Sequence, residues 1–192
     1  VAAKTIGVQL VLDGDGHFHE ELIYDGLAWG YIAYGDDGGR IEEVTFAVTY
    51  FNSVNGAASG EALAGAPVNA GSYIAVVDTG ELDKDGNYSA QGRFAVPFSI
   101  ARREVTVTWT EDDFTYNNTD QSGRIEAFYL PWENGAQLSE GRKVMLGIEE
   151  IEFKDVKEGG YTFTAKFATE QEKQNYCITG AAEGSSDRVT KT

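Results

Sequence analysis

Asn69-Ala70-Gly71-Ser72-Tyr73, an alternating apolar run and Asn87-Tyr88 return 88 residues later as Lys157-Glu158-Gly159-Gly160-Tyr161, a second alternating run and Asn175-Tyr176. Both the tyrosine and the Asn-Tyr pair keep that offset. Upstream the echo is looser. Tyr24-Asp25-Gly26 matches Tyr116-Asn117-Asn118, and Gly30-Tyr31-Ile32 matches Gly123-Arg124-Ile125, at offsets of 92 and 93. A few loop insertions explain the drift. A period near 90 residues is too long for a solenoid unit and suits a whole small β-domain, so the chain reads as two tandem modules.

The length of 192 residues accommodates two domains of about 95, each able to bury its own core without metals or disulfides. With 42% hydrophobic and 12% aromatic residues the chain is too apolar for disorder, despite its formal charge of −16. Fifteen basic against 31 acidic side chains would repel phosphate backbones and anionic headgroups, which argues against nucleic acid or a membrane surface as partner. The single cysteine, Cys177, permits no disulfide within the chain. No stretch approaches the roughly 20 apolar residues of a membrane span, and no signal peptide opens the sequence. A start at Val1 in place of Met is expected of a mature or excised segment, from which localisation signals would have been cut away.

Period-two alternation recurs along the whole length, and no segment keeps a helical apolar pattern over three turns. Ile6 to Leu12 alternates, as do Val44 to Tyr50, Tyr73 to Val77 and Phe94 to Ile100. The second half repeats this with Val105, Val107, Trp109; Ile125, Ala127, Tyr129; Val144, Leu146, Ile148; and Tyr161, Phe163, Ala165, Phe167. Each run should place one face on a core and one toward water. Between them stand turn-formers such as Asp13-Gly14-Asp15-Gly16, Gly35-Asp36-Asp37-Gly38-Gly39 and Glu133-Asn134-Gly135. Short strands separated by such turns describe an all-β chain of β-sandwiches. The boundary falls near Ala101-Arg102-Arg103-Glu104, giving modules 1–102 and 103–192. That junction lacks Gly and Pro, so the modules are expected to form a semi-rigid rod.

These residues resemble the bacterial Ig-like repeats of the MBG and YDG type. The resemblance rests on Asn69 to Tyr73 with its strand, on Asn87-Tyr88, on the closing Phe94-Ala95-Val96-Pro97-Phe98-Ser99-Ile100 and on Tyr24-Asp25-Gly26. The second module adds Val105-Thr106-Val107-Thr108-Trp109 and Phe114-Thr115-Tyr116-Asn117, and the two copies cover nearly the whole chain. The resemblance implies two tandem Ig-like β-sandwich domains from a secreted or wall-attached bacterial protein, with no catalytic residue to transfer. The second copy departs from it at Glu158-Gly159-Gly160. It also lacks a strong closing strand, since Ser185 to Thr192 is polar, and that strand is expected to be weak or frayed.

Independently of any family, Gly71 and Gly160 suit a turn with positive φ or a close backbone approach. Tyr73 and Tyr161 are then placed to bury their rings and return a hydroxyl to nearby backbone, in the manner of a tyrosine corner.

Chemical constellations are sparse. His17 and His19 flank Phe18 beside Asp13, Asp15, Glu20 and Glu21; on an extended strand both imidazoles share a face and could ligate zinc, although a solvated hairpin end explains them as well. Asp83-Lys84-Asp85-Gly86-Asn87 resembles part of a calcium loop, but its Gly comes fourth instead of sixth and Phe94 stands where a Glu is needed. A plain turn is the simpler reading. No nucleophile elbow, phosphate loop or Cys-His pairing appears, so no enzyme is expected. Lys4, Lys166 and Asn175 could be imagined in an internal amide cross-link, though no spacing selects them.

Aromatics give the better binding argument. Trp29, Tyr31 and Tyr34 crowd one segment, and Phe128, Tyr129 and Trp132 crowd its counterpart. Rings on opposite faces of one strand cannot all be core, and exposed ones can stack on sugars or anchor a protein. The candidate ligand-binding set is therefore Trp29, Tyr31, Tyr34, Tyr129 and Trp132, with no metal or cofactor. The reading is a non-catalytic stalk, spacer or adhesion segment at a bacterial surface. Its alternatives are a module binding a host or cell-wall glycan or protein, and a calcium-stabilised surface domain.

Overall fold

The computed structural model describes residues 4–12, 22–35, 47–78, 88–89, 93–110, 114–149, 155–158, 160–181 and 186–192. The described chain is mostly strand, with one short α-helix, and is arranged as several small sheets. It divides into two compact units, Val1–Ala101 and Arg102–Thr192.

In the first unit a five-stranded sheet runs in the order Leu22–Ile23, Arg93–Ala101, Gly71–Asp78, Ala47–Val54, Ala57–Ser59. The alternation read from the sequence sets its inner face. Val96 and Phe98 are half-buried and Ile100 is buried, while Ala95, Pro97 and Ser99 are exposed. Gly71–Asp78, flanked on both sides, buries Ile74 as well as Tyr73, Ala75 and Val77. In Ala47–Val54 the alternation changes phase at Tyr50-Phe51, where consecutive residues are buried and half-buried. A second sheet has the order Trp29–Gly35, Lys4–Leu12, Tyr88–Ser89. Its Trp29 packs with Leu22, Ala70, Tyr73 and Ile100, so one core joins both sheets.

The side of Arg93–Ala101 that carries Leu22–Ile23 has a particular chemistry. Ala101 gives its carbonyl to Tyr24 N–H at 2.9 Å. Successive residues of a strand point their backbone groups to opposite sides, so Ser99 and Pro97 also face away from Gly71–Asp78. Pro97 has no N–H to present there.

The second unit contains smaller sheets. Ala127–Tyr129 lies between Thr108–Trp109 and Val144–Met145, and Phe163–Lys166 lies between Gly147–Ile148 and Arg188–Lys191. The last strand corrects the expectation of a frayed end. Arg188–Lys191 pairs with Phe163–Lys166 over four residues, because ladder bonds are made by backbone and need no apolar sequence. The helix Glu170–Asn175 was not expected. It is one and a half turns long, too short for a periodic signal, and it is started by a capping box in which Thr169 accepts from Glu172 N–H and Glu172 accepts from Thr169 N–H. Tyr129, Phe167 and Tyr176 form the core, with Tyr129 5.5 Å from Phe167 and 5.2 Å from Tyr176 between ring centroids. Such pairs contribute about 0.5–1.5 kcal/mol each beyond the area they bury.

Several local features recur in both units. Tyr88 and Tyr176 each open a short strand that runs parallel to its unit's first strand, Tyr88 opposite Lys4 and Tyr176 opposite Arg103. Asp25 and Asn117 each accept from the N–H two residues on, at 2.9 and 3.0 Å, across a residue of positive φ, Gly26 and Asn118. Asn55-Gly56 and Asn134-Gly135 close hairpins with nearly the same dihedrals, φ 51° and 78° in one and 52° and 78° in the other. The match of Gly30-Tyr31-Ile32 with Gly123-Arg124-Ile125 is not structural: the former lies in a strand, whereas Ser122–Arg124 is a 3-10 turn.

Candidate binding surface

The duplicated tyrosines act on the backbone. The ring of Tyr73 is buried and its hydroxyl donates to Asn69 O at 2.8 Å. That path takes the phenol over Gly71, where a Cβ would lie 3.1 Å from the hydroxyl oxygen. Glycine suits that close approach, since a side chain there would need the phenol to give by a few tenths of an ångström. Tyr161 donates to Asp155 O at 2.9 Å from a half-buried ring, just ahead of its strand. Burial pushes the Tyr73 phenol above its ordinary pKa.

The three aromatic candidates whose side chains are described, Trp29, Tyr129 and Trp132, are buried or covered. Trp29 is 3% exposed and Tyr129 1% exposed, so neither ring has a face to offer a ligand. Alternation shows which residues share a face of a strand but not whether a second layer covers that face, and in both cases one does. Trp132 is half-buried, and the Arg103 guanidinium carbon sits 3.9 Å from the centroid of its ring. The side chains of Tyr31 and Tyr34 lie outside the described residues. Cations also cover other half-buried rings of the second unit: Lys143 over Phe128 at 4.5 Å, Arg124 over Phe114 at 4.9 Å and Lys157 over Tyr161 at 5.3 Å. A ring face that holds a cation is satisfied electrostatically and must release it before stacking on a sugar.

Polar side chains in the second unit hold loops in place. Gln121 is buried, donates to Thr115 O at 3.1 Å and accepts from Arg124 at 2.9 Å. Tyr129 donates to Glu172 Oε1 at 3.3 Å, joining the aromatic core to the helix cap. Burial foremost, with Glu104 adding to it and Arg102 opposing, raises the pKa of Cys177.

Among the described residues, no group of three or more His, Cys, Asp or Glu side chains converges on a position for a metal ion. His17, His19 and the Asp83 to Asn87 segment lie outside those residues. The sequence counterpart of that segment is the helix Glu170–Asn175. For the imagined cross-link, Lys166 is exposed and paired with Glu149 at 3.5 Å, whereas Asn175 is 1% exposed in the core; Lys4 has no described side chain. No helix among the described residues is long and apolar enough to cross a membrane.

No family model, curated protein or solved structure matches this chain.

Proposed function

We propose that the chain is a non-catalytic, load-bearing segment of a secreted or surface-attached bacterial protein, built from two Ig-like sandwich modules of the MBG and YDG type. The observation that carries this reading is the parallel pairing of each unit's first strand with a late one: Lys4–Leu12 with Tyr88–Ser89, and Arg103–Val105 with Tyr176–Ile178. In the first unit Leu22–Ile23 is also parallel to the closing strand. Tension on the ends of a unit pulls parallel strands past one another, so their bonds are loaded together and do not open one at a time. Repetition of the same pairing in both units supports a role in which mechanical design matters twice. The formal charge of −16 favours solubility and opposes self-association.

Single-molecule force spectroscopy on the whole chain, spliced between reference domains, tests the reading. Two unfolding events at forces above that of an α-helical reference domain are expected. Extension at or below the helical reference force would contradict it, since forced unfolding is governed by the unfolding barrier.

A further inference from the structure

We infer that the first unit carries a binding groove for a neutral carbohydrate on the outer face of its five-stranded sheet. This site is independent of the load-bearing reading and lies apart from the aromatic candidates.

A depression of about 410 Å3 crosses three neighbouring strands beside the Asn55-Gly56 hairpin. That volume falls in the range of about 300–1,000 Å3 usual for small-molecule sites. Ser72 and Ser99 are directly opposite in register, and Ser53 follows one step beyond the Asn52 and Tyr73 pair. Three hydroxyls therefore stand in a row across the sheet. The Ser72 and Ser99 hydroxyl oxygens are 3.3 Å apart and share one hydrogen bond. Each hydroxyl can donate once and accept twice, so the pair keeps capacity for further partners. Asn55 on the hairpin adds an amide, and Pro97, exposed two residues before Ser99, adds an apolar ring surface.

The chemistry selects the ligand. None of the lining residues carries a charge at neutral pH, since the one titratable group among them, the Tyr73 phenol, is held protonated by burial. The net charge of −16 disfavours anionic ligands, and no carboxylate lines the groove to hold a cationic one. A peptide strand would need a row of open backbone N–H and C=O groups, but Gly71–Asp78 in the middle of the groove is paired on both sides and Pro97 at its margin has no N–H to give. Hydroxyl donors and acceptors beside a small apolar surface match the alternating O–H and C–H surface of a neutral sugar.

The second unit supplies an internal comparison. Its equivalent hairpin has Trp132 two residues before Asn134, where the first unit has Ser53 two residues before Asn55, and Arg103 lies on the Trp132 ring. A bulky residue occupies the position that a serine leaves open.

The test is an NMR titration of the whole chain with neutral di- and tetrasaccharides of glucose, galactose, mannose and N-acetylglucosamine, with a polyanionic glycan and an uncharged extended peptide as controls. At least one neutral sugar should shift the amides of Ser53, Asn55, Ser72 and Ser99. Ser53→Trp should abolish the shifts, and Ser72→Ala with Ser99→Ala should weaken binding at least tenfold, as expected for the loss of two hydrogen bonds. Wild-type-like spectra away from the groove would verify folding. Should Ser53→Trp fail to fold, the double alanine variant decides alone. The proposal is overturned if no neutral sugar shifts these amides, if binding survives the double variant, or if only the peptide or the polyanion binds there.

Discussion

The hydroxyl of Tyr176 holds both backbone groups of Trp132, accepting from its N–H at 3.0 Å and donating to its carbonyl at 3.2 Å. Forty-four residues separate the two, so one buried phenol pins the base of the Trp132–Glu133 hairpin to the core. Tyr176→Phe keeps the ring and leaves that backbone pair without its partner. A loss of about 1–3 kcal/mol is expected, measured by chemical denaturation of the second unit. A loss below a few tenths would mean that water replaces the hydroxyl.

Tyr73→Phe removes the bond to Asn69 O and should cost about 1 kcal/mol. In a unit of this size that lowers the melting temperature by roughly 4–8 °C. The same variant has a pH signature. Because the folded phenol has a raised pKa, its contribution is complete below 10.0, the unfolded value, and is lost as pH rises from there through the folded pKa. Wild-type stability should therefore fall more steeply above pH 10.0 than that of Tyr73→Phe. Parallel stability profiles in that window would refute the assignment.

Two glycines separate close approach from backbone strain. Gly71→Ala sets a Cβ 3.1 Å from the Tyr73 oxygen, displaces the phenol and should cost about 1–3 kcal/mol. Gly56→Ala meets nothing within 4 Å, but its φ of 78° makes a side chain unfavourable by about 1–2 kcal/mol. In a Tyr73→Phe background the Gly71→Ala penalty should shrink and the Gly56→Ala penalty should not, which a double-mutant cycle would show.

The cap of Glu170–Asn175 is testable by Thr169→Ala. It removes the acceptor of Glu172 N–H and the hydroxyl that donates to Glu172 Oε2, and should cost about 1 kcal/mol. Amide exchange should rise at Glu172 and Lys173 while the amides of Phe163 to Lys166 keep their protection.

Cys177 is half-buried with a raised pKa, so at pH 7–8 less of it is thiolate than in a free cysteine. Iodoacetamide should label it more slowly than glutathione, and the rate should climb to a higher pH before levelling. Labelling as fast as glutathione would show that the thiol is solvated.

The strands themselves were legible where alternation met one covered face. Val96, Phe98 and Ile100 turned inward as read, and so did Phe163, Ala165 and Phe167. The Asn-Tyr pairs were visible as a repeat, but the pairing of Tyr88 and Tyr176 with first strands was not, because parallel partnership leaves no local pattern. Trp29 and Tyr129 show the limit for site reading, since period two does not identify the layer lying over a face. The helix had a readable sign in Thr169-Glu170-Gln171-Glu172, a capping box that a search for long apolar periods passes over. The hydroxyl row was hidden for another reason. Ser53, Ser72 and Ser99 are scattered in sequence and meet only through register.

Pro97 has a consequence for storage and crowding. A sheet grows into fibrils when a neighbouring chain finds an uninterrupted row of donors and acceptors to copy. On the side of Arg93–Ala101 that carries Leu22–Ile23 that row is interrupted at Pro97 by an imino acid, so a neighbouring chain cannot copy it without a gap, and replacing the proline with threonine should make concentrated preparations easier to seed.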